Sequence, residues 1–176
     1  TAKGDRTTAI GAYSVAGRES DSGESRVGGT AVGAFAKATG DDSTAFGVNA
    51  SSSGDKAISV GARSNSAGDR AIALGDLTVA SGDQSVALGS ASEAQGNYSA
   101  AFGFKAVAEK DSSVAIGPNT ATTRPEQIAL GSAGAEVTVA NLADQTSVSG
   151  QDPASFGAVV ANADGTLMRS GVGDGL

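Results

Sequence analysis

The 176 residues include no cysteine and no histidine. Without thiols there is no disulfide framework and no thiol nucleophile. Without imidazole, the usual zinc ligand sets and every histidine-dependent triad are gone. The chain also has no tryptophan, one methionine, three prolines and only 4% aromatic residues. A globular core of this length normally holds more bulk, so whatever packs inside must be small. No apolar run approaches the ~20 residues of a membrane-spanning helix. No stretch at the start has the make-up of a signal peptide. The sequence opens on Thr1 rather than Met and reads as a mature segment or a piece of something longer. Acidic residues outnumber basic ones 19 to 12, for a net charge of −7, which argues against nucleic acid and anionic membranes as partners. The lack of cysteine does not fix the compartment, because exported proteins also do without disulfides.

What the chain has in plenty is glycine, 26 residues of it, and the glycines are periodic. An apolar residue followed by glycine returns at Gly33, Gly47, Gly61, Gly75, Gly89, Gly103, Gly117 and Gly131, seven intervals of fourteen without a slip. The unit is seen most clearly at Gly82 to Gln95, GDQSVALGSASEAQ. A fixed period of this kind marks a solenoid, in which each repeat contacts only its neighbours. One copy occupies Gly4 to Gly17. The next starts at Arg26 after the polar insertion RESDSGES, residues 18–25, and the copies then run unbroken to Val137. That predicts nine coils, stacked to roughly 45 Å at the inter-strand spacing of ~4.8 Å. The insertion becomes a loop at one edge.

With the unit numbered 1 to 14, the columns give the cross-section. Position 7 is always apolar and position 5 mostly β-branched, while positions 4, 6 and 8 are Ser, Ala or Gly except at Gln127. Alternation with period two predicts a strand over positions 4 to 8. A second, shorter strand follows at positions 10 to 13, small at 11 and 13 and polar at 10 and 12. Glycines at positions 1 and 8 supply the corners, where positive φ is often needed. Neither face of the first strand carries a charge in the seven copies from Gly40, so both faces are expected to be covered. The aliphatics Ile58, Val60, Ile72, Leu74, Val86, Leu88, Phe102, Val114, Ile116, Ile128 and Leu130 are assigned to the roll core. The small residues Ser43, Ala45, Ala57, Ser59, Ala71, Ala73, Ser85, Ala87, Ser99, Ala101, Ser113 and Ala115 are then the candidates for an interface with other chains. The reverse assignment is open, and both demand a partner, because a lone roll this thin buries little.

The period stops after Val137, dividing the chain into a head, 1–137, and a connecting segment, 138–176. Within the latter, Ala154 to Ser170 reads as two strands about a turn at Asn162 to Gly165, a hairpin suited to capping the last coil.

The unit S-[VI]-A-[ILF]-G-x-x-[AST]-x-[AST]-x-G, clearest at Ser85 to Gly96 and at Ser113 to Thr123, resembles the head repeat of trimeric autotransporter adhesins, the YadA-like head. The resemblance covers Gly4 to Val137. It implies an all-β, left-handed parallel β-roll and a homotrimer, displayed on the outer membrane of a Gram-negative cell, with the head itself not inserted in the membrane. It also implies non-enzymatic attachment to extracellular matrix proteins, host cells or surfaces. Val137 to Ala143 only faintly suggests the family's neck, and no coiled-coil stalk or membrane anchor is recognised. The other reading is a structural spacer or fibre module that sets distance and binds nothing.

Other sites compete with these readings. Asp5, Asp41, Asp55, Asp69, Asp83 and Asp111 share position 2 and could be a cation ladder. Calcium rolls, however, use a nine-residue unit with oxygens converging from neighbouring turns, so solvated corner residues in Asx-type turns are the simpler expectation. No cofactor and no metal are expected. Left-handed β-helix acyltransferases run on hexapeptides and typically use a histidine. Ice binding would want an outward row of threonines, which positions 10 and 12 do not offer. The least repeat-like features are Tyr13, Arg18, Glu19, Tyr98, Phe104 and Lys105, the candidates for ligand contact.

Overall fold

The computed structural model describes residues 1–17, 28–136, 159–161 and 167–169. It divides into two compact units, Thr1–Val137 and Thr138–Leu176. The first is a parallel β-solenoid. One sheet has nine strands in chain order, Thr8–Ile10, Thr30–Val32, Thr44–Phe46, Ile58–Val60, Ile72–Leu74, Val86–Leu88, Ala100–Phe102, Val114–Ile116 and Ile128–Leu130. The other has seven, from Val15–Ala16 through Lys37–Ala38, Ser51–Ser52, Asn65–Ser66, Val79–Ala80 and Glu93–Ala94 to Val107–Ala108. Each residue pairs with its equivalent one repeat away, as Val86 does with Ile72 and Ala100. The strands thus occupy positions 5 to 7 and 12 to 13, slightly less than the alternation predicts. In the second unit Val159–Ala161 pairs antiparallel with Leu167–Arg169; the turn expected at Asn162 to Gly165, the neck-like stretch Val137 to Ala143 and the insertion 18–25 lie outside the described residues.

The coil is two half-coils of seven residues, each a turn followed by a strand. Both turns close in the same way. Ser64 N donates to Gly61 O at 3.4 Å across positions 11 and 8, and Ala71 N to Gly68 O at 3.2 Å across positions 4 and 1. The third residue of each turn is left-handed whatever its side chain: among the described residues sixteen non-glycines have positive φ, including Tyr13 (58°), Phe35 (60°), Lys56 (59°) and Leu77 (59°). Such a residue costs roughly 1–2 kcal/mol. The ladder offsets it, because the left-handed residue donates to the coil before it, as Arg63 N does to Val48 O and Arg70 N to Asp55 O, both at 2.8 Å.

The two glycine columns do different things. Gly61 sits at φ +134°, which only glycine adopts readily. Gly68 has no positive φ, but a Cβ there would run into the Gly82 carbonyl of the next coil. At position 8 positive φ and close approach act together, since a Cβ at Gly61 would also meet the Gly75 carbonyl, whereas at Gly68 close approach between coils acts alone.

The interior corrects the assignment of faces. The proposed interface residues Ser43, Ala45, Ala57, Ser59, Ala71, Ala73, Ser85, Ala87, Ser99, Ala101, Ser113 and Ala115 are all within the roll, 0–1% exposed. The proposed core points outward: Ile58, Val60, Leu88, Ile116, Ile128 and Leu130 are exposed, and Ile72, Leu74, Val86, Phe102 and Val114 half-buried. The reason is thickness. A four-residue turn brings its ends within ~7 Å, whereas sheets with ordinary side chains between them stand ~10 Å apart. Between strands joined by such turns there is room for alanine, serine or, as at Thr78 and Thr120, threonine, and for nothing larger. The inward placement of positions 11 and 13 holds, with Ala50, Ser52, Ser92, Ala94, Ala106 and Ala108 at 0% exposure.

The alanine interior is not continuous. One buried cluster runs from Ala16 to Ala50 and another from Ala71 to Ala115. Between them lies a network of buried hydroxyls. Ser59 Oγ donates to Ser51 O at 2.6 Å and lies 2.7 Å from Ser66 Oγ, Ser66 Oγ donates to Ser52 Oγ at 3.1 Å, and Ser52 Oγ donates to Ala57 O at 2.8 Å. These bonds tie the two sheets together across the roll. Ser85 Oγ, equally buried, has no partner. The same substitution therefore has opposite signs at the two sites. Ser85→Ala, copying Ala71 in its column, is expected to raise unfolding stability by about 1 kcal/mol by removing an orphaned hydroxyl. Ser59→Ala, copying Ala73, is expected to lower it by about as much or more. Chemical denaturation of both variants checks this; equal shifts of one sign would mean that hydrogen bonding does not decide the core.

Candidate functional site

Two surfaces stand out from the roll. The first is the outer face of the nine-stranded sheet, built from positions 5 and 7. The strands place these side chains outward because positions 4 and 6 fill the interior. Position 7 is apolar in every strand, from Ile10 (58% exposed) through Phe46 (54%) and Leu88 (45%) to Leu130 (49%). No charge interrupts these two columns. A continuous uncharged aliphatic face of this kind on one side of a thin roll is suited to covering by another surface and has no chemistry of its own. The opposite sheet has an ordinary solvated surface, with Gln95 Nε2 donating to Glu93 Oε2 at 2.7 Å.

The second is the corner at positions 2 and 3. Here each acid accepts a hydrogen bond from the same position one coil earlier: Asp41 N donates to Asp55 Oδ1, Asp55 N to Asp69 Oδ1, Asp69 N to Asp83 Oδ1 and Asp83 N to Asn97 Oδ1, each at 3.0 Å, and Asn97 N to Asp111 Oδ1 at 2.9 Å. This is not the Asx turn within one coil that the sequence suggested but a ladder between coils, which satisfies a backbone donor at five successive corners, from Asp41 to Asn97. The next copy puts Pro125 at this position, and proline has neither a side-chain acceptor nor an N–H to present. A shallow groove of about 300 Å³ runs along the corner, lined by Asp41, Asp42, Asp55, Lys56, Asp69 and Arg70. Among the described residues no three His, Cys, Asp or Glu side chains are grouped so as to hold a metal ion.

The ligand-contact candidates do not converge. Tyr98 is 62% exposed and left-handed at position 3. Phe104 (51% exposed), with Lys105 Nζ 5.1 Å from its ring centroid, is on the opposite corner at positions 9 and 10. Tyr13, 77% exposed, occupies that same corner near the start of the roll. Arg18 and Glu19 lie outside the described residues. Sequence reading missed the partner of Tyr13, since its ring stacks on Phe35 with centroids 5.0 Å apart and planes 11° apart. The signal was present: Phe35 fills position 10 of the next copy, hidden only by the insertion between the two.

Against known families, the model described as the YadA head domain repeat (2 copies) matches residues 1–18, 27–50, 38–64, 52–78, 66–92, 80–106 and 94–120. From 38 onward each match starts fourteen residues after the last, the period of the coil. No curated protein matches the chain.

The Asp ladder makes its own prediction. Asn97 already stands in the column and accepts the same bond, so Asp69→Asn is expected to leave the unfolding midpoint nearly unchanged. Asp69→Ala should cost about 0.5–1.5 kcal/mol by removing the acceptor. Neither protein should shift by more than a degree or two between millimolar calcium and chelator, because only a ligand of the native state raises the transition. Equal losses in both variants, or a large calcium effect abolished by them, would make the column a cation site.

Proposed function

We propose, from the premise that this chain belongs to the YadA head family, a family of adhesin-type domains, that it works as the exposed head of a homotrimeric surface adhesin. The observation that carries the reading is the uncharged aliphatic face at positions 5 and 7. Each coil contributes an apolar side chain at position 7, and from Ile58 onward a second at position 5, and burying each large one is worth about 1.5–3 kcal/mol. A roll whose own interior is alanine and serine gains little per coil from its core. Association of three copies over these faces supplies the missing burial, so folding and trimer formation go together. Among the described residues no helix is long and apolar enough to cross a membrane. In this reading the head is carried at the bacterial surface as an autotransporter passenger.

Attachment then belongs to the outward surfaces left after assembly: the seven-stranded sheet and the corners. They are shallow, repeat every coil and recur in each copy. No cofactor or reacting group is needed. Matrix proteins, host cells and abiotic surfaces are the ligand classes that this kind of head serves, through many weak contacts with effective concentration supplying the gain.

Two measurements test this. Light scattering of the purified chain should give three times its mass of 16.9 kDa. Leu88→Lys, which places a charge in the aliphatic face, should shift the protein to smaller, less stable species, because an unpaired charge is costly to cover. A stable monomer for the unaltered chain defeats the reading.

The avidity expectation is separate. A single soluble head should bind an immobilised matrix protein weakly, while the same heads clustered on beads hold it firmly. Nanomolar binding by one head, lost on Tyr98→Ala alone, would point to a discrete pocket instead.

A further inference from the structure

The outer face of the nine-stranded sheet is not uniform along the stack. Position 7 is apolar throughout, but position 5 changes character. It is threonine in the first three strands, Thr8, Thr30 and Thr44, and then Ile58, Ile72, Val86, Ala100, Val114 and Ile128. The threonines are stacked in register, Thr8 on Thr30 and Thr30 on Thr44, and Thr44 lies next to Ile58. Thr8 is exposed, and Thr30 and Thr44 are half-buried. All three point to the same side as the aliphatics, away from the interior filled by Ala31 and Ala45.

This break in pattern matters because a solenoid of equal coils has a register problem. If copies associate over this face, sliding one chain by a single coil still pairs eight of the nine strand levels. Apolar side chains discriminate poorly between such arrangements, since the hydrophobic effect is non-directional. We propose that the column Thr8–Thr30–Thr44 is the register key by which copies of this chain recognise one another, and that their partner at each level is the same threonine of another copy.

The chemistry is that of a polar residue placed in an otherwise apolar seam, which fixes register and partner at some cost in stability. A threonine hydroxyl has one donor and two acceptor sites, so hydroxyls meeting at one level satisfy one another. In a slid arrangement Thr44 meets Ile58 of a neighbour, and its hydroxyl is stripped of water with nothing to bond. Unlike a coiled coil, the roll cannot place this key in its own interior, because the small residues there are fully buried and no other copy can reach them. On the outer face of this sheet, identity varies from coil to coil at a place another copy can meet.

The inference rests on the trimeric reading above, and the experiment separates the two. The full chain is refolded as an equal mixture of tagged wild type and untagged Thr8→Val/Thr30→Val/Thr44→Val, and trimer compositions are read by native mass spectrometry. Valine keeps the shape of threonine and removes only the hydroxyl. Without a key, random mixing puts about three quarters of trimers in hybrid form, as three-fold assembly of equivalent chains requires. With the key, a hybrid holding one wild-type chain leaves a hydroxyl unpaired at three levels and should fall at least about tenfold, while one holding two wild-type chains keeps a pair at each level and should fall less. Tagged and untagged wild type, and wild type with Thr39→Val, just after strand Lys37–Ala38 of the other sheet, should both mix at random. If the triple variant does not assemble by itself, Thr44→Val replaces it, with a smaller depletion expected. Trimers throughout, with hybrids at the random share, overturn the key and leave the trimer standing. No trimer in any preparation, wild type included, overturns the trimeric reading and the key with it.

Discussion

Everything in this roll follows from how little space separates its two sheets. Each coil reverses twice through a G-x-x-S or related turn, and a turn of four residues cannot hold its flanking strands at the distance ordinary side chains need. The interior is therefore filled by alanine and serine, as Ala45, Ala73, Ala87 and Ser59 are at 0% exposure. The same closeness makes a Cβ at Gly68 collide with the next coil. It also forces the third residue of each turn into the left-handed region, even where that residue is Tyr13 or Leu77. None of these features is independent of the others. A chain with larger inward residues could not make these turns, and a chain with longer turns would need a different core.

Polar groups do work here that apolar packing does elsewhere. With methyl-sized cores, each level gains little from burial, and hydrogen bonds between coils carry the register. The backbone ladder does most of this, but side chains join it at places the period allows. The Asp55, Asp69, Asp83, Asn97 and Asp111 side chains each accept a backbone N–H from the coil before. Ser52, Ser59 and Ser66 link the sheets through the interior. The first is repeated and so acts as general reinforcement. The second is local, lying between two alanine clusters and spanning two adjacent coils, with a further buried hydroxyl pair at Ser113 and Thr122, and it marks those coils as different from their neighbours.

The repeat, its period, the two strands and the polarity of the second strand were legible in the sequence, because each depends on a pattern that recurs in every copy. Family membership was legible for the same reason. The direction of the first strand was not. Ile72 and Ala73 alternate whichever way the strand faces, and the customary rule that large apolar residues go inside points the wrong way in a roll too thin to hold them. The decisive clue lay in the turns: Gly68 to Ala71 and Gly75 to Thr78 are both four residues long, and their span limits the core. The left-handed positions were hidden because Lys56, Arg70, Tyr98 and Leu77 are not residues that advertise positive φ, while Asn49 and Asn119 in the same columns are. The stacking of Tyr13 on Phe35 was masked by an insertion that breaks the count.

That reversal changes what the sequence says about assembly. With aliphatics inside, the core and the interface would be made by different residues, and the surface offered to a partner would be the small-residue face. With aliphatics outside, the apolar content of the first strand is available only to a partner. The residues that make position 5 and position 7 hydrophobic are then under no constraint from the roll's own packing. They can vary in size from Ala100 to Phe46 without disturbing the coil, because nothing inside depends on them. Variation there is free to encode which surface meets which. A fold whose interior is closed to other chains can carry specificity between them only on its outside, and it is on this outer face that the threonine column departs from the aliphatic repeat.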